Sequence, residues 1–549
     1  MKQHIDDFDD HIKSTLDIDP YNEYDNIIVG AGPAGLQLAY YFEKNNISYL
    51  ILEKHKFCAT FFNKYPISNK LISLNKKYTG ETNPDFNLRH DWNSLLNDEQ
   101  FLFSDITDEL YPEAHHLYNY LNEFANKFNI KINFDENVNV INKINIINCE
   151  YEIITEKRKY KCKKLIIASG LSKPFYPVNI TPPKNHQIKH YADLDKDNFI
   201  NNIHKYKNKT VIIIGGGNAS YELANLLDKV CSTVLISGSK KKLSIVSHYV
   251  GDIRSIYLPF LDSFYLKSLN GIDVFDKNNK FTITINEDET SENYGKYYIK
   301  NMGLKDMYHG TKKLTCVDDI IFCTGWTFDS SIFNFNVSTI INDKYPEVNS
   351  MFESSNNKNL YFIGALMHSR DYKKSSGGFI HGFRYLIKLF MQINYNIPKI
   401  IFYFNFNGTM SCYDELTKHI FNRINYASSL YQLYGTMCDI FYYNKEQNKI
   451  IYIQDWTIEN IKKLNIHSNN INILKLEYGE EEFIINKLGS FNRWNPSFLH
   501  PKIRICSNYN GEIELIDLVT FTEDLIADFS SNEFYNKINQ TLKMCNLII

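Results

Sequence analysis

The chain has 549 residues, of which 44% are hydrophobic and 22% charged, and a formal net charge of -3. That length exceeds what one hydrophobic core organises, so about two to four domains are expected, and the composition excludes a disordered chain. No long single-sign run marks a nucleic-acid footprint, and no apolar run reaches the roughly 18 residues that span a bilayer.

The opening MKQHIDDFDDHIKSTLDIDP is acidic and lacks the apolar core of a secretory signal, and the closing KMCNLII carries no retention signal, so a cytoplasmic location is expected. The 10 cysteines form no C-x-x-C pair and read as reduced, buried thiols. No His/Cys cluster has metal-ligand spacing, so no metal is expected.

After an N-terminal extension (1–23) comes YDNIIVGAGPAGLQLAYYFEKNNISYLILEK. Ile27, Ile28 and Val29 read as a strand running into Gly30, Gly32, Pro33, Ala34 and Gly35. An amphipathic helix follows, then a second strand ending at Glu53 and Lys54. Gly30 permits a tight turn, Gly32 lets backbone approach a pyrophosphate, and Gly35 lets helix pack closely on strand. The helix N-terminus aims N–H groups at the phosphates, and Glu53 stands where a carboxylate accepts from ribose hydroxyls.

The polar, turn-rich stretch LISLNKKYTGETNPDFNLRHDW (71–92) follows and closes on Arg89, His90, Asp91 and Trp92. Beyond Pro112, the residues Leu117, Leu121, Phe124 and Phe128 form a helical stripe that reads as core packing. KLIIASG (164–170) is a further apolar strand.

Residues 209–243, KTVIIIGGGNASYELANLLDKVCSTVLISGSKKKL, repeat the grammar of the first loop. Gly215, Gly217 and Asn218 open the helix, and the small Ser220 takes the third glycine position. The next strand ends without an acid. Its Ser237, Ser239, Lys240 and Lys241 suit a 2′-phosphate, which points to NADP(H). Residues 276–300 read as a hairpin excursion of this unit.

DDIIFCTGWTFDSSIF (318–333) reads as a strand returning the chain to the first unit. NLYFIGALMHSRDYKKSSGGFIHGFRYLIKLF (359–390) adds a strand closing on Gly364, and Gly377-Gly378 open an apolar helix. An enzyme that uses both FAD and a nicotinamide dinucleotide must bring two such rings together, and nested domains do this. The expected fold is α/β, with two nested Rossmann-type dinucleotide-binding domains and a C-terminal α/β or α+β domain. The FAD-binding domain is expected over 24–200 and 318–397, the NADP-binding domain over 201–317, and the C-terminal domain over 398–549. That last domain is a candidate for covering the flavin, for homodimerisation or for a protein partner.

These segments resemble the flavin-dependent monooxygenase superfamily. The resemblance is closest to the family of the FAD-dependent oxidoreductase known as the ER flavoprotein associated with degradation. It extends through KLISLNKKYTGETNPDFNLRHDWNSLL, YKKSSGGFIHGFRY, NYASSLYQLYG and NPSFLHPKIR. It implies hydride transfer from NADPH to FAD, then O2 activation toward a small-molecule or protein-thiol substrate. By the same resemblance, Asn75, in a segment upstream of Phe103-Ser104-Asp105, supplies a flavin-side amide, and the helix opened at Gly378 faces the flavin. The monooxygenase fingerprint between the two loops is not intact, since only His190 stands near its place. Reduction of an external acceptor without oxygenation, or a flavin-bound interaction scaffold, therefore remains open. Cys58 and Cys231 each stand alone, against a dithiol relay. His248, His368, His381 and Arg254 are further candidates to face flavin or substrate.

Overall fold

The computed structural model describes residues 22–146, 149–177, 180–181, 189–237, 252–257, 272–273, 281–286, 288–300, 315–405, 411–466, 471–477, 499–509, 512–520 and 532–544. Of the expected site residues, Ser239, Lys240 and Lys241 lie outside them, as does His248, and of Ser237 only the backbone is described.

The first sheet is built on the strand Glu23–Val29. It pairs in parallel with Leu50–Leu52 on one side and Lys159–Ile167 on the other. Ile132–Asn133 extends the first edge, again in parallel. On the far side, Cys149–Thr155 and Val138–Ile146 form an antiparallel meander against the start of Lys159–Ile167. Leu360–Phe362 pairs in parallel with the end of that same strand.

The central strands read as continuous apolar runs because both of their faces are covered. Ile28, Ile51, Ile166 and Tyr361 enter the core beneath the helices Pro33–Lys44, Ala114–Lys127 and Ile380–Asn394. Their neighbours Ile27, Leu52, Ile167 and Phe362 enter a separate core on the opposite face. This is the period of two that a pleated strand imposes.

The second sheet is parallel throughout, in the order Ile272–Asp273, Thr233–Ser237, Thr210–Ile214, Asp319–Phe322, Lys189–His190. Here a boundary moves. Asp319–Phe322 was expected to return to the first sheet, but it pairs with Thr210–Ile214, with Ile213 opposite Ile321. Its alternate residues fill both cores of the second unit, Ile321 on one face and Ile320 and Phe322 on the other. The chain instead crosses between units on an antiparallel pair, Lys173–Pro174 with Trp326–Thr327. It meets the first sheet at Phe333, opposite Ile141 of Val138–Ile146, and then pairs with Lys159–Ile167 from Leu360 onward. The hairpin read at 276–300 is present as Phe281–Ile285 and Tyr297–Lys300, extended by Thr315–Val317.

The C-terminal region is α+β. Its antiparallel sheet runs from Ile401–Asn405 at one edge to Glu512–Thr520 at the other, with the helices Ser411–Tyr426 and Asn532–Met544. Its core is continuous with that beneath Ile380–Asn394, so Trp456, Ile473 and Ile538 share one cluster with Leu36 and Phe390.

Candidate functional site

Two positions of the first glycine loop, Gly30 and Gly35, are closed to side chains by backbone contacts. Gly30 has φ +106°, and a Cβ there would lie 3.0 Å from the Ala168 carbonyl oxygen. A Cβ on Gly35 would lie 2.1 Å from the Gly30 carbonyl oxygen, so helix and turn could not both keep their places. Gly32 faces open space and caps the helix Pro33–Lys44 without any side-chain hydrogen bond, which leaves the N-terminal N–H groups free for an anion. Pro33 at the first turn forfeits an N–H that the helix would not have used.

Glu53 is 7% exposed. Its carboxylate accepts from Ala31 N at 2.8 Å and His55 N at 3.0 Å, tying the loop to the end of the next strand. Burial raises its pKa against those two bonds. Two oxygens with one partner each retain lone pairs for ribose hydroxyls. A cleft of about 450 Å³ opens beside the loop, lined by Gly30, Gly32, Glu53, Lys54, Tyr65 and Trp326. Tyr65 lies outside the sequence signals, and its hydroxyl bonds the Ala192 carbonyl at 2.5 Å. Gly364, at φ +71°, closes on the same helix, where a Cβ would sit 2.4 Å from that of Ala34.

In the second loop the tight position is Gly215, at φ +140°. A Cβ there would meet the Cys323 carbonyl oxygen at 2.3 Å. Gly217 faces open space, and Ser220 is fully buried in the helix Asn218–Leu227. The Asn218 amide spans a neighbouring segment, donating to Asp252 O at 3.0 Å and accepting from Arg254 N at 2.9 Å.

The same helix carries Glu222, which sequence reading passes over. Its carboxylate accepts from Ser68 N at 2.7 Å and from the Tyr191 hydroxyl at 2.8 Å, and that hydroxyl accepts from Ile67 N at 2.9 Å. Burial pushes Glu222 up to about 7, the hydrogen bonds from Ser68 and Tyr191 opposing. It joins the helix opened by the second glycine loop to the loop ahead of the polar stretch.

That polar stretch is folded, and its last residues have identifiable partners. Arg89 donates to the Ile424 and Ala427 carbonyls at the C-terminus of the helix Ser411–Tyr426. Asp91 accepts from Asn93 N and Ser94 N, closing the turn. Arg384 braces it from beneath, donating to Leu88 O at 2.7 Å and Ser94 O at 2.8 Å. Asn75 is 1% exposed and is not among the residues lining the cleft. Its Nδ2 donates to Thr107 O at 2.9 Å and Glu109 O at 3.1 Å, which fixes the amide orientation, while Oδ1 is buried without a partner.

Asp371 shapes the turn before the helix Ile380–Asn394. It accepts from Gly377 N at 2.8 Å and from the Ser375 hydroxyl, and it bonds His368 Nδ1 at 2.8 Å. A Cβ on Gly377 would fall 2.5 Å from this carboxylate, and one on Gly378 would fall 2.7 Å from the His368 ring. Cys58 is buried, which pushes its thiol up and makes it a poor nucleophile, and Cys231 is pushed up to about 11. Among the described residues no group of His, Cys, Asp and Glu could hold a metal ion, and no helix is long and apolar enough to cross a membrane.

Two sheets, each with a glycine loop opening a helix at the end of its central parallel strand, define an oxidoreductase fold with two dinucleotide-binding units. A family model described as pyridine nucleotide-disulphide oxidoreductase matches residues 27–364, and the chain belongs to that family. It is 30% identical over 527 residues to the FAD-dependent oxidoreductase domain-containing protein 2 of Mus musculus, covering 88% of this chain and 76% of the mouse protein. The Danio rerio protein of the same name is 29% identical over 538 residues, covering 86% and 74%. Among solved structures, a flavin-containing monooxygenase from Stenotrophomonas maltophilia aligns with a TM-score of 0.49 at 16% identity, covering 68% of this chain and 99% of that one. The resemblance drawn from the motifs to FAD-dependent oxidoreductases holds at the level of family.

Proposed function

We propose that the chain is an NADPH-dependent flavoprotein oxidoreductase of the flavin monooxygenase type, with FAD on the first loop and NADPH on the second. The carrying observation is the pair of glycine loops, each with an open position (Gly32 and Gly217) at the mouth of an uncapped helix. The residues present fit FAD. The loop of Gly30, Gly32, Pro33, Ala34 and Gly35 receives a pyrophosphate, Glu53 and Lys54 take the ribose end, and Gly364 and Gly378 allow close approach of backbone. Bound FAD supplies hydride acceptance and the electrons for O2 activation.

Asn75 serves as an acceptor rather than a donor, because two carbonyls already hold its nitrogen and only Oδ1 is left. In the second unit, Gly215, Gly217, Asn218 and Ser220 hold a pyrophosphate. Ser237, Ser239, Lys240 and Lys241 select the 2′-phosphate by charge and hydroxyl count. The C-terminal region steadies the 83–95 segment through Arg89, and its outer surface is a place for a homodimer or protein partner. The substrate is a small molecule or a protein thiol.

The test uses the full chain loaded with FAD under anaerobic conditions. NADPH is expected to bleach the flavin at least tenfold faster than NADH at equal concentration. On admitting O2 with an amine or sulfide acceptor, less than one hydrogen peroxide per NADPH is expected. One peroxide per NADPH whatever the acceptor would leave a reductase or oxidase, and no bleaching at all would leave a scaffold.

A further inference from the structure

A stack of one guanidinium and three rings runs from the second unit into the first. The Arg254 guanidinium lies 4.9 Å from the Trp92 ring centroid. Trp92 lies 4.4 Å from the His381 imidazole at 28°, and His381 lies 5.7 Å from Phe379 at 13°. Two members of the stack, Arg254 and His381, are anchored. Arg254 N is held by Asn218, the first residue of the second phosphate helix. His381 stands in the first turn of Ile380–Asn394, the helix packed against Pro33–Lys44.

His381 is 2% exposed, and its Nε2 has no hydrogen-bond partner. A buried polar atom left so destabilises the fold, and a bound ligand that pairs with it would relieve that cost. Burial, with the charges of Arg384 and Arg254, pushes the imidazole well below its ordinary pKa, against a bond to the Trp92 backbone. A neutral ring has one donor and one acceptor nitrogen. With the proton on Nδ1, the unpartnered Nε2 is the acceptor.

We propose that Arg254 and Trp92 are positioning residues that hold His381 with Nε2 as the hydrogen-bond acceptor for an N–H group of the bound flavin ring. Through this stack, a dinucleotide arriving at Asn218 perturbs the flavin before any hydride moves. This rests on the flavoprotein reading above. A flavin N–H fits better than the nicotinamide carboxamide, because His381 belongs to the unit of the first loop.

The experiment uses full-length protein with FAD and reads the flavin absorption spectrum, the flavin dissociation constant and the difference spectrum on adding NADP+, with no turnover. His381→Leu is expected to shift the flavin absorption maximum and weaken flavin binding roughly tenfold. His381→Gln, which retains an acceptor, is expected to restore both. Arg254→Gln is expected to keep the flavin but lose most of the NADP+-induced difference spectrum. A His381→Leu protein with wild-type spectrum and affinity overturns the acceptor role. If that variant does not fold, Arg254→Gln decides, since an unchanged NADP+ difference spectrum overturns the coupling. Nicotinamide as the true donor would show as a wild-type flavin spectrum in His381→Leu with weakened NADP+ binding. A wild-type chain that holds no flavin would remove the flavoprotein reading itself.

Discussion

The two glycine loops share a spacing but not a point of closest packing. In the first, the third glycine is the tight one, with Gly35 against the Gly30 carbonyl, and in the second the first is, with Gly215 against the Cys323 carbonyl. The second loop accordingly carries a side chain, Ser220, where the first has none. Their carboxylates differ as well. Glu53 stands at the end of a strand and bonds its own loop, whereas Glu222 sits within the helix and bonds the other unit. The first loop is therefore braced by a residue of its own unit, while the second unit is fastened to the first by the helix that its loop opens. Equal spacing between glycines does not mean equal tolerance at each.

The largest expected effect falls on Gly35. Gly35→Ala places a methyl 2.1 Å from a backbone oxygen, so helix or turn must shift. A stability loss of about 3 kcal/mol, with loss of bound flavin, is expected. Thermal denaturation and the flavin-to-protein absorbance ratio measure the two. The matching exchange in the second loop, Ser220→Gly, is expected to destabilise by no more than about 1 kcal/mol, the usual effect of glycine within a helix. Similar losses at both positions would erase the contrast.

Glu222 gives the next effect. Its folded-state pKa of about 7 stands above the 4.5 of a free carboxyl, so the protonated form is the one folding favours. Its contribution is fully present below about pH 4.5, falls as pH rises through 7, and is absent above that. The shift corresponds to about 3 kcal/mol. Glu222→Gln, which cannot ionise, is expected to gain on the wild type by that amount between pH 4.5 and 8 in urea unfolding. A constant difference between the two proteins over that window would mean that Glu222 ionises freely, and that the junction with Ser68 and Tyr191 is loose.

Both loops are legible from sequence because glycine spacing and apolar runs are local signals. Ile27–Val29 and Val211–Ile214 announce buried parallel strands, and the strand, turn and helix follow in order. The partner of Asp319–Phe322 is not legible. DIIF is apolar on both faces and suits the interior of either sheet, so register alone decides. Glu222 reads as an ordinary helix residue, since its partners Ser68 and Tyr191 are brought to it by the fold. Arg89-His90-Asp91-Trp92 can be singled out as a set, but the partners of Arg89 lie in the C-terminal helix, far along the chain. The Asn75 role narrows for the same reason, because the carbonyls that occupy its nitrogen come from residues 107 and 109.

Gly217 carries the smallest effect on the fold and separates folding from binding. Its Cβ position is empty, its φ is -104°, and it caps Asn218–Leu227 without a side-chain bond. Gly217→Ala should therefore change stability by less than about 1 kcal/mol, the range of a cap residue exchanged for alanine. The methyl would nevertheless fill the space where a pyrophosphate meets the helix N-terminus. KM for NADPH is expected to rise at least tenfold, while Tm, flavin content and the pH dependence from Glu222 stay at wild-type values. If KM stays constant, the phosphates do not approach Gly217, and the second loop would hold its dinucleotide by some other edge. If Tm falls as KM rises, the open position is not open in solution, and the contrast with the tightly packed Gly35 fails at its other end.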